Sequence, residues 1–175
     1  MKILAFGASN SSTSINKALA AYAASLVKDA SVEVLDLNDF EIPMFSEDRE
    51  KEIGQPKLAK NFLAKIKCAD AVIVSFAEHN GTYSVAYKNL FDWASRITRD
   101  VFQNKPVVFL ATSPGPGGAQ SVLKVATDSA RFFAADVRSS LSIPSFYDNF
   151  DISTQQLTNE TLRQALEDTI NTLLV

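Results

Sequence analysis

The sequence predicts an α/β domain, a parallel sheet with helices on both faces, and three observations carry that expectation. Five short apolar runs recur along the chain, at 3–6, 32–37, 71–76, 107–111 and 137–143. Between them, apolar residues return at intervals of three and four, the spacing of one helix face. Strands alternating with helices at this length make βαβ units, whose crossovers lay helices over a parallel sheet. Finally, 175 residues that are 46% hydrophobic suffice for one domain, 1–175, with a full core, and no linker, repeat or low-complexity segment divides them.

In order along the chain, run 3–6 is followed by a helix marked by Ile15, Leu19, Tyr22, Ala23 and Leu26. Run 32–37 alternates, as an edge strand would. The long connection 38–55 carries Pro43, Gly54 and the charged cluster 47–52, read as a solvated loop, with Ile42, Pro43, Met44 and Phe45 as its apolar part. A helix is expected at about 56–67. Runs 71–76 and 107–111 are nearly continuous apolar, which suits strands buried on both faces. The helix between them repeats Ala86, Leu90, Trp93, Ala94 and Ile97. It carries a second stripe, Tyr83, Tyr87 and Phe91, that either faces a partner or widens the core face. Val122, Ala126, Ala130 and Phe133 mark the next helix, and run 137–143 alternates like a second edge. The last helix holds Leu162, Leu166, Thr169, Ile170 and Leu173, with Thr158 as its N-cap and Leu157 against Leu162 as a hydrophobic staple.

Bulk chemistry excludes several functions. A net charge of −3 argues against a general nucleic-acid binder. No run approaches the roughly 20 apolar residues of a membrane span, and run 3–6 is too short for a signal-peptide core. One cysteine, Cys68, excludes an internal disulfide, fits a reducing cytoplasm, and is expected in or near the core. With one histidine as well, His79, a zinc site of His and Cys ligands is excluded and no metal is expected.

Three loops follow successive central strands and so should share the carboxyl edge of the sheet, where open α/β sheets bind ligands. The first, Gly7-Ala8-Ser9-Asn10-Ser11-Ser12-Thr13-Ser14-Ile15-Asn16, is small and hydroxylic. It reads as a phosphate cradle at a helix N-terminus, or as a solvated loop capped by Thr13 or Ser14. It is neither a P-loop nor the Gly-x-Gly-x-x-Gly dinucleotide fingerprint. The second surrounds the Asn80-Gly81 turn with Glu78, His79 and Tyr83. The third, Ser113-Pro114-Gly115-Pro116-Gly117-Gly118, is stiff and offers bare backbone to a flat ligand, or is strand-to-helix punctuation. Side by side, the loops suit a flat aromatic phosphate such as flavin mononucleotide.

The chain resembles the NADPH-dependent FMN reductase family over nearly its whole length. Ala8-Ser9-Asn10-Ser11 with Ser14-Ile15-Asn16 is similar to the family's Gly-Ser-x-Arg and Ser-x-Asn. Ala77-Glu78-His79-Asn80-Gly81-Thr82, with Lys88-Asn89 and Asp92-Trp93, is similar to its Pro-Glu-Tyr-Asn-Gly-Ser loop and following helix. Ser113-Pro114-Gly115 with Gly117-Gly118 is similar to its Ser-x-Gly and Gly-Gly, and Glu41-Ile42-Pro43-Met44-Phe45 to its Leu-Pro-Leu-Tyr stretch. The resemblance implies a flavodoxin-like three-layer sandwich with five parallel strands in the order 2-1-3-4-5. It implies FMN, with NADPH or NADH as co-substrate. Electrons would pass to a quinone, azo compound, free flavin or metal oxyanion. Ser9, Ser11, Ser14, Ile15 and Asn16 would then hold the phosphate. Ala77, Glu78, His79, Asn80 and Gly81 would hold the ring, together with Ser113, Pro114, Gly115, Gly117 and Gly118. No protein group need be catalytic, because the flavin does the chemistry. A homodimer or homotetramer is implied. Three departures stand out: Ser11 replaces the family's arginine, Ala77 its proline and His79 its tyrosine.

Two other functions fit parts of the sequence. Gly7-Ala8-Ser9-Asn10 has some likeness to the Gly-Asp-Ser motif of a lipase/esterase family, but that chemistry needs a histidine near the C-terminus, and the only histidine is His79. A flavodoxin-type electron carrier would share the fold, but such carriers are strongly acidic and this chain is not.

Overall fold

The structure, a computed structural model, describes residues 1–174. In chain order it contains β1 (Lys2–Ala8), α1 (Ile15–Ser25), β2 (Ser31–Leu35), α2 (Glu47–Ile53), α3 (Lys57–Cys68) and β3 (Ala71–Phe76). There follow β4 (Glu78–His79), β5 (Thr82–Tyr83), α4 (Val85–Ile97), β6 (Pro106–Thr112), α5 (Gln120–Ala130) and β7 (Asp136–Ile143). The chain closes with α6 (Phe146–Asn149), β8 (Phe150–Asp151), β9 (Gln156–Leu157) and α7 (Glu160–Asn171). β2, β1, β3, β6 and β7 form one parallel sheet in that order. Counting only these strands in sequence, the order is the expected 2-1-3-4-5. The two alternating strands, β2 and β7, are indeed the edges.

The continuous apolar runs make sense because both faces of the central strands are covered. Successive side chains of a strand point to opposite faces. Leu4, Phe6, Val72, Val74, Phe76, Val107 and Phe109 pack with α3, α4 and α5. Ile3, Ala5, Ala71, Ile73, Val108 and Leu110 pack with α1 and α7. Each helix presents one stripe to its layer, as with Ala59, Phe62, Leu63 and Ile66 of α3. The Tyr83, Tyr87 and Phe91 stripe widens the core face: Tyr87 is buried between Phe6 and Phe76, and Phe91 meets Phe133 edge-on at 4.7 Å. Burial pushes the Tyr87 phenol well above its ordinary pKa, so it stays neutral.

Three expectations are corrected. The 38–55 connection is partly helical, with a 3-10 turn at Leu37–Phe40 and the helix α2 over the charged cluster. Ser46 caps α2 by accepting from the Arg49 N–H, and Glu47, Asp48 and Glu50 occupy its first turn, where the helix dipole favours acids. Order along the cluster, which composition alone does not weigh, makes it a helix. The cap of α7 is Asn159, which accepts from the Leu162 N–H, so Thr158 lies one residue outside. Cys68 is exposed, since it lies two residues past Ile66 and off the apolar stripe of α3.

The approach of α1 to β1 depends on Gly7. A Cβ there would lie 2.4 Å from the Lys17 nitrogen and 2.7 Å from its Cα, both backbone atoms that cannot turn aside. Gly7→Ala is expected to lower stability in urea unfolding by about 2–3 kcal/mol, the cost of an overpacked core position. An unchanged midpoint and slope would mean that α1 can shift away freely.

Candidate functional site

The carboxyl ends of β1, β3 and β6 set three loops side by side, joined by one buried amide. Asn16 is the second residue of α1 and only 3% exposed. Its Oδ1 accepts from the Thr112 N–H at 3.1 Å and from the Ser75 hydroxyl at 2.7 Å, and its Nδ2 donates to the Thr112 carbonyl at 3.1 Å. The side chain thus ties the start of α1 to β3 and β6. What Asn16 offers outward is its backbone N–H, in the first turn where helical N–H groups lack intrahelical acceptors.

These loops enclose a cleft of about 250 Å³. Of the residues expected at a site, Ser9, Ser11, Ser14, Ile15, Asn16, Ala77, Glu78, His79, Ser113 and Pro114 line it. Thr13, Thr112 and Tyr147 complete the lining. Asn80, Gly81, Gly115, Gly117 and Gly118 lie outside it.

Local chemistry shapes the first loop. Ser14 caps α1 by accepting from the Lys17 N–H, and the Ser9 hydroxyl accepts from the Ser11 N–H at 3.1 Å. The Ser11 and Thr13 hydroxyls stand 3.5 Å apart. Among the described residues of the lining there is no lysine or arginine. The Lys17 ammonium instead pairs with Asp36 beyond β2. That bond, with the Asn38 N–H donating to the same carboxylate, holds Asp36 below its ordinary carboxylate pKa.

The second loop is a two-residue hairpin of β4 and β5, with Asn80 at φ 51° and Gly81 at φ 79°. These left-handed angles at both central positions are what an Asn-Gly hairpin turn provides, and they put both residues at the tip. The Glu78 carboxylate accepts from the Val122 N–H at 3.0 Å. It therefore caps α5, whose own N-cap position is Ala119, a residue with no side-chain acceptor. His79 is exposed and also lines a second cleft of about 280 Å³ with Asn10, Met44, Val85 and Asn89 among its walls. Behind that cleft, Asn89 donates to the Ile42 carbonyl at 2.9 Å and accepts from the Phe45 N–H at 2.8 Å, while the Trp93 indole donates to the Pro43 carbonyl at 2.8 Å. The Asn89 and Trp93 positions of the motif are thus a clamp on the 42–45 stretch.

In the third loop, Gly115 gives its carbonyl to the Ser145 N–H at 2.9 Å. Gly118 is buried, and a Cβ on it would lie 2.2 Å from the Ser142 hydroxyl oxygen. That glycine secures the loop against β7 and the following Pro144. Thr112, at the end of β6, and Tyr147, on α6, are lining residues that sequence reasoning missed; only the return of the chain after β7 brings Tyr147 to the cleft.

Among the described residues no group of three or more His, Cys, Asp or Glu side chains could hold a metal, and no helix is long and apolar enough to cross a membrane. An open flavodoxin-like sheet with a hydroxyl-lined cleft at a helix N-terminus defines the class of mononucleotide-binding α/β domains. Within it, the family model for NADPH-dependent FMN reductases matches residues 1–148, and the chain belongs to that family. It is 34% identical over 119 residues to an NAD(P)H-dependent FMN reductase of Pseudomonas aeruginosa, covering 67% of this chain and 63% of that protein. It is 30% identical over 125 residues to an NADPH:quinone oxidoreductase of Arabidopsis thaliana, covering 69% and 62%. The chain therefore spans about three fifths of the length of these two relatives. In fold it is similar to FerB, a flavoenzyme NAD(P)H:acceptor oxidoreductase of Paracoccus denitrificans, with a TM-score of 0.77, 20% identity and coverage of 99% and 94%. It is also similar in fold to an FMN-dependent NADH-azoreductase of Bacillus anthracis in complex with FMN, with a TM-score of 0.65, 12% identity and coverage of 100% of both chains.

The Lys17–Asp36 pair has a pH signature. A carboxylate whose pKa is depressed by folding stabilises above its ordinary value of 3.8 and loses that contribution as pH falls through the depressed value. Asp36→Asn is expected to be less stable than the unsubstituted protein at pH 7, with the difference shrinking below pH 3.8 in thermal unfolding. A difference that is constant with pH would mean that the pair contributes nothing.

Proposed function

We propose that the chain is an FMN-dependent NAD(P)H oxidoreductase that passes electrons from NADPH or NADH to a small acceptor. The observation that carries this reading is the cleft at the start of α1, lined by the Ser9, Ser11, Thr13 and Ser14 hydroxyls in a chain of the FMN reductase family. The donor set fits a phosphate monoester: neutral hydroxyls and the first-turn N–H groups of Ile15 and Asn16, with the helix dipole favouring the anion. The remaining walls, Ala77 to His79 on one side and Ser113–Pro114 on the other, suit a flat ring. FMN, when bound, supplies the hydride and electron-transfer chemistry.

The chain's own residues would then bind and orient. Ser9, Ser11, Ser14, Ile15 and Asn16 hold the phosphate end. Ala77, Glu78, His79, Ser113 and Pro114 flank the ring, with Asn80, Gly81, Gly115, Gly117 and Gly118 setting the shape of the two loops. Backbone N–H groups of these loops stabilise negative charge on the ring, as preorganised donors do elsewhere. The second cleft, reached past His79, receives the nicotinamide or the acceptor. Quinones are the favoured acceptor class, from the activities named for the relatives; azo compounds, free flavin and metal oxyanions are the other candidates. A homodimer or homotetramer in the cytoplasm is part of the reading. A serine hydrolase gains no support: Glu78, the acid beside His79 in sequence, is engaged at the Val122 N–H, not orienting an imidazole.

The test is the visible spectrum of the purified protein with FMN, before and after anaerobic NADPH. Flavin bands altered by binding and bleached by NADPH are expected. Bound flavin that NADPH leaves oxidised, but a redox protein reduces, would make the chain an electron carrier. No flavin binding would overturn the reading.

A further inference from the structure

Tyr147 has no place in the packing that accounts for its neighbours. Phe146 before it is fully buried and stacks on Phe150 at 4.6 Å and 20°. The N–H groups of Ser145 and Phe146 donate to the carbonyls of Gly115 and Ser113, and the Asn149 amide donates to the Pro144 and Ser145 carbonyls. Ser145 itself sits at φ 46°, ψ 58°, a conformation uncommon for serine that these bonds hold in place. The short helix α6 is therefore a brace fixed to the third loop. Tyr147 projects from it, 59% exposed, and among the described residues its ring contact is an edge-on meeting with Phe146 at 5.5 Å.

The side chain lines the first cleft and also an adjoining groove of about 450 Å³ on the far side of the first loop. The lining residues common to both spaces are Thr13, Ser14, Ile15 and Tyr147. Tyr147 therefore borders the cleft where it meets the groove, with Thr13, Ser14 and Ile15 at the hydroxylic start of α1. In the first cleft an anion meets no lysine or arginine among the described lining residues, and Lys17, which lines the adjoining groove, is paired with Asp36. Neutral donors must do the work of a cation, and a phenol is the most acidic neutral hydroxyl among side chains.

We propose that Tyr147 closes the phosphate end of the cleft and donates its phenolic hydroxyl to the phosphate of a bound mononucleotide. This rests on the flavin reading above. It assigns ligand binding to the segment after the fifth sheet strand, in addition to the three loops.

The test compares two flavins that differ only in the phosphate. Dissociation constants for FMN and riboflavin are measured by flavin fluorescence titration on the unsubstituted protein, Tyr147→Phe and Tyr147→Ala. For Tyr147→Phe, FMN binding is expected to weaken about tenfold, the loss of one hydrogen bond to a charged group, while riboflavin binding changes less than twofold. Tyr147→Ala should weaken FMN at least as much. Unchanged FMN affinity in Tyr147→Phe, or an equal loss for both flavins, would overturn the assignment and leave the flavin reading standing. Loss in Tyr147→Ala alone would make Tyr147 a ring wall and also overturn the hydroxyl's role. An unsubstituted protein that binds neither flavin would instead contradict the flavin reading, and the assignment with it.

Discussion

The buried amide of Asn16 is the constraint on which the rest of the site depends. The ends of β3 and β6 and the start of α1 come from distant parts of the chain, and one α1 side chain bonds to both strands. Removing it would strand the Thr112 N–H and the Ser75 hydroxyl in a dry interior, at about 1–3 kcal/mol for each unsatisfied group. Gly7 allows α1 close enough for the amide to reach. Once that edge is fixed, shorter ties place the loops. The Ser84 hydroxyl donates to the Ala8 carbonyl at 2.7 Å, joining the α4 cap to the end of β1. The Glu78 carboxylate joins the hairpin to α5, and Asn89 and Trp93 join α4 to the 42–45 stretch.

This construction determines the electrostatics of the cleft. Charged side chains near it are committed to structural partners, Lys17 to Asp36 and Glu78 to the start of α5. What lines the cleft at the start of α1 is a set of hydroxyls, beside first-turn backbone N–H groups and the dipole of an 11-residue helix. Such a cradle selects an anion by geometry and neutral donors. On the proposed reading, Ser11, at the position matched to the family's arginine, adds a hydroxyl to this lining in place of a cation.

The two edge strands and the position of the three loops were legible in the sequence because each rests on a local signal, whereas the sheet order followed only from the family resemblance. Continuous against alternating apolar runs separates central strands from edges, and small hydroxylic or glycine-rich stretches punctuate strand ends. Features set by long-range contact were not legible. Asn16 reads as a ligand residue of a Ser-x-Asn motif, yet its amide is spent on strands 59 and 96 positions away. Glu78 reads as part of a ligand loop and proves also to cap a helix 44 residues on. Tyr147 lies in a short aromatic stretch that carries no site signature. The charged cluster at 47–52 was misread for a different reason: a solvated loop and a solvated helix share a composition, and the Ser46 cap with acids ahead of Lys51 decides between them.

The most direct test of this account is the amide hydrogen exchange of Thr112 in the unsubstituted protein and in Asn16→Ala. The amide at Thr112 is buried and bonded to the Asn16 side chain, so removing that acceptor should open this edge locally. Exchange about 100-fold faster at Thr112, with much smaller changes at β1 amides such as Leu4, is the predicted result. Unchanged protection at Thr112, or a uniform increase across the sheet, would mean that Asn16 does not hold the edge, and the site would need another foundation.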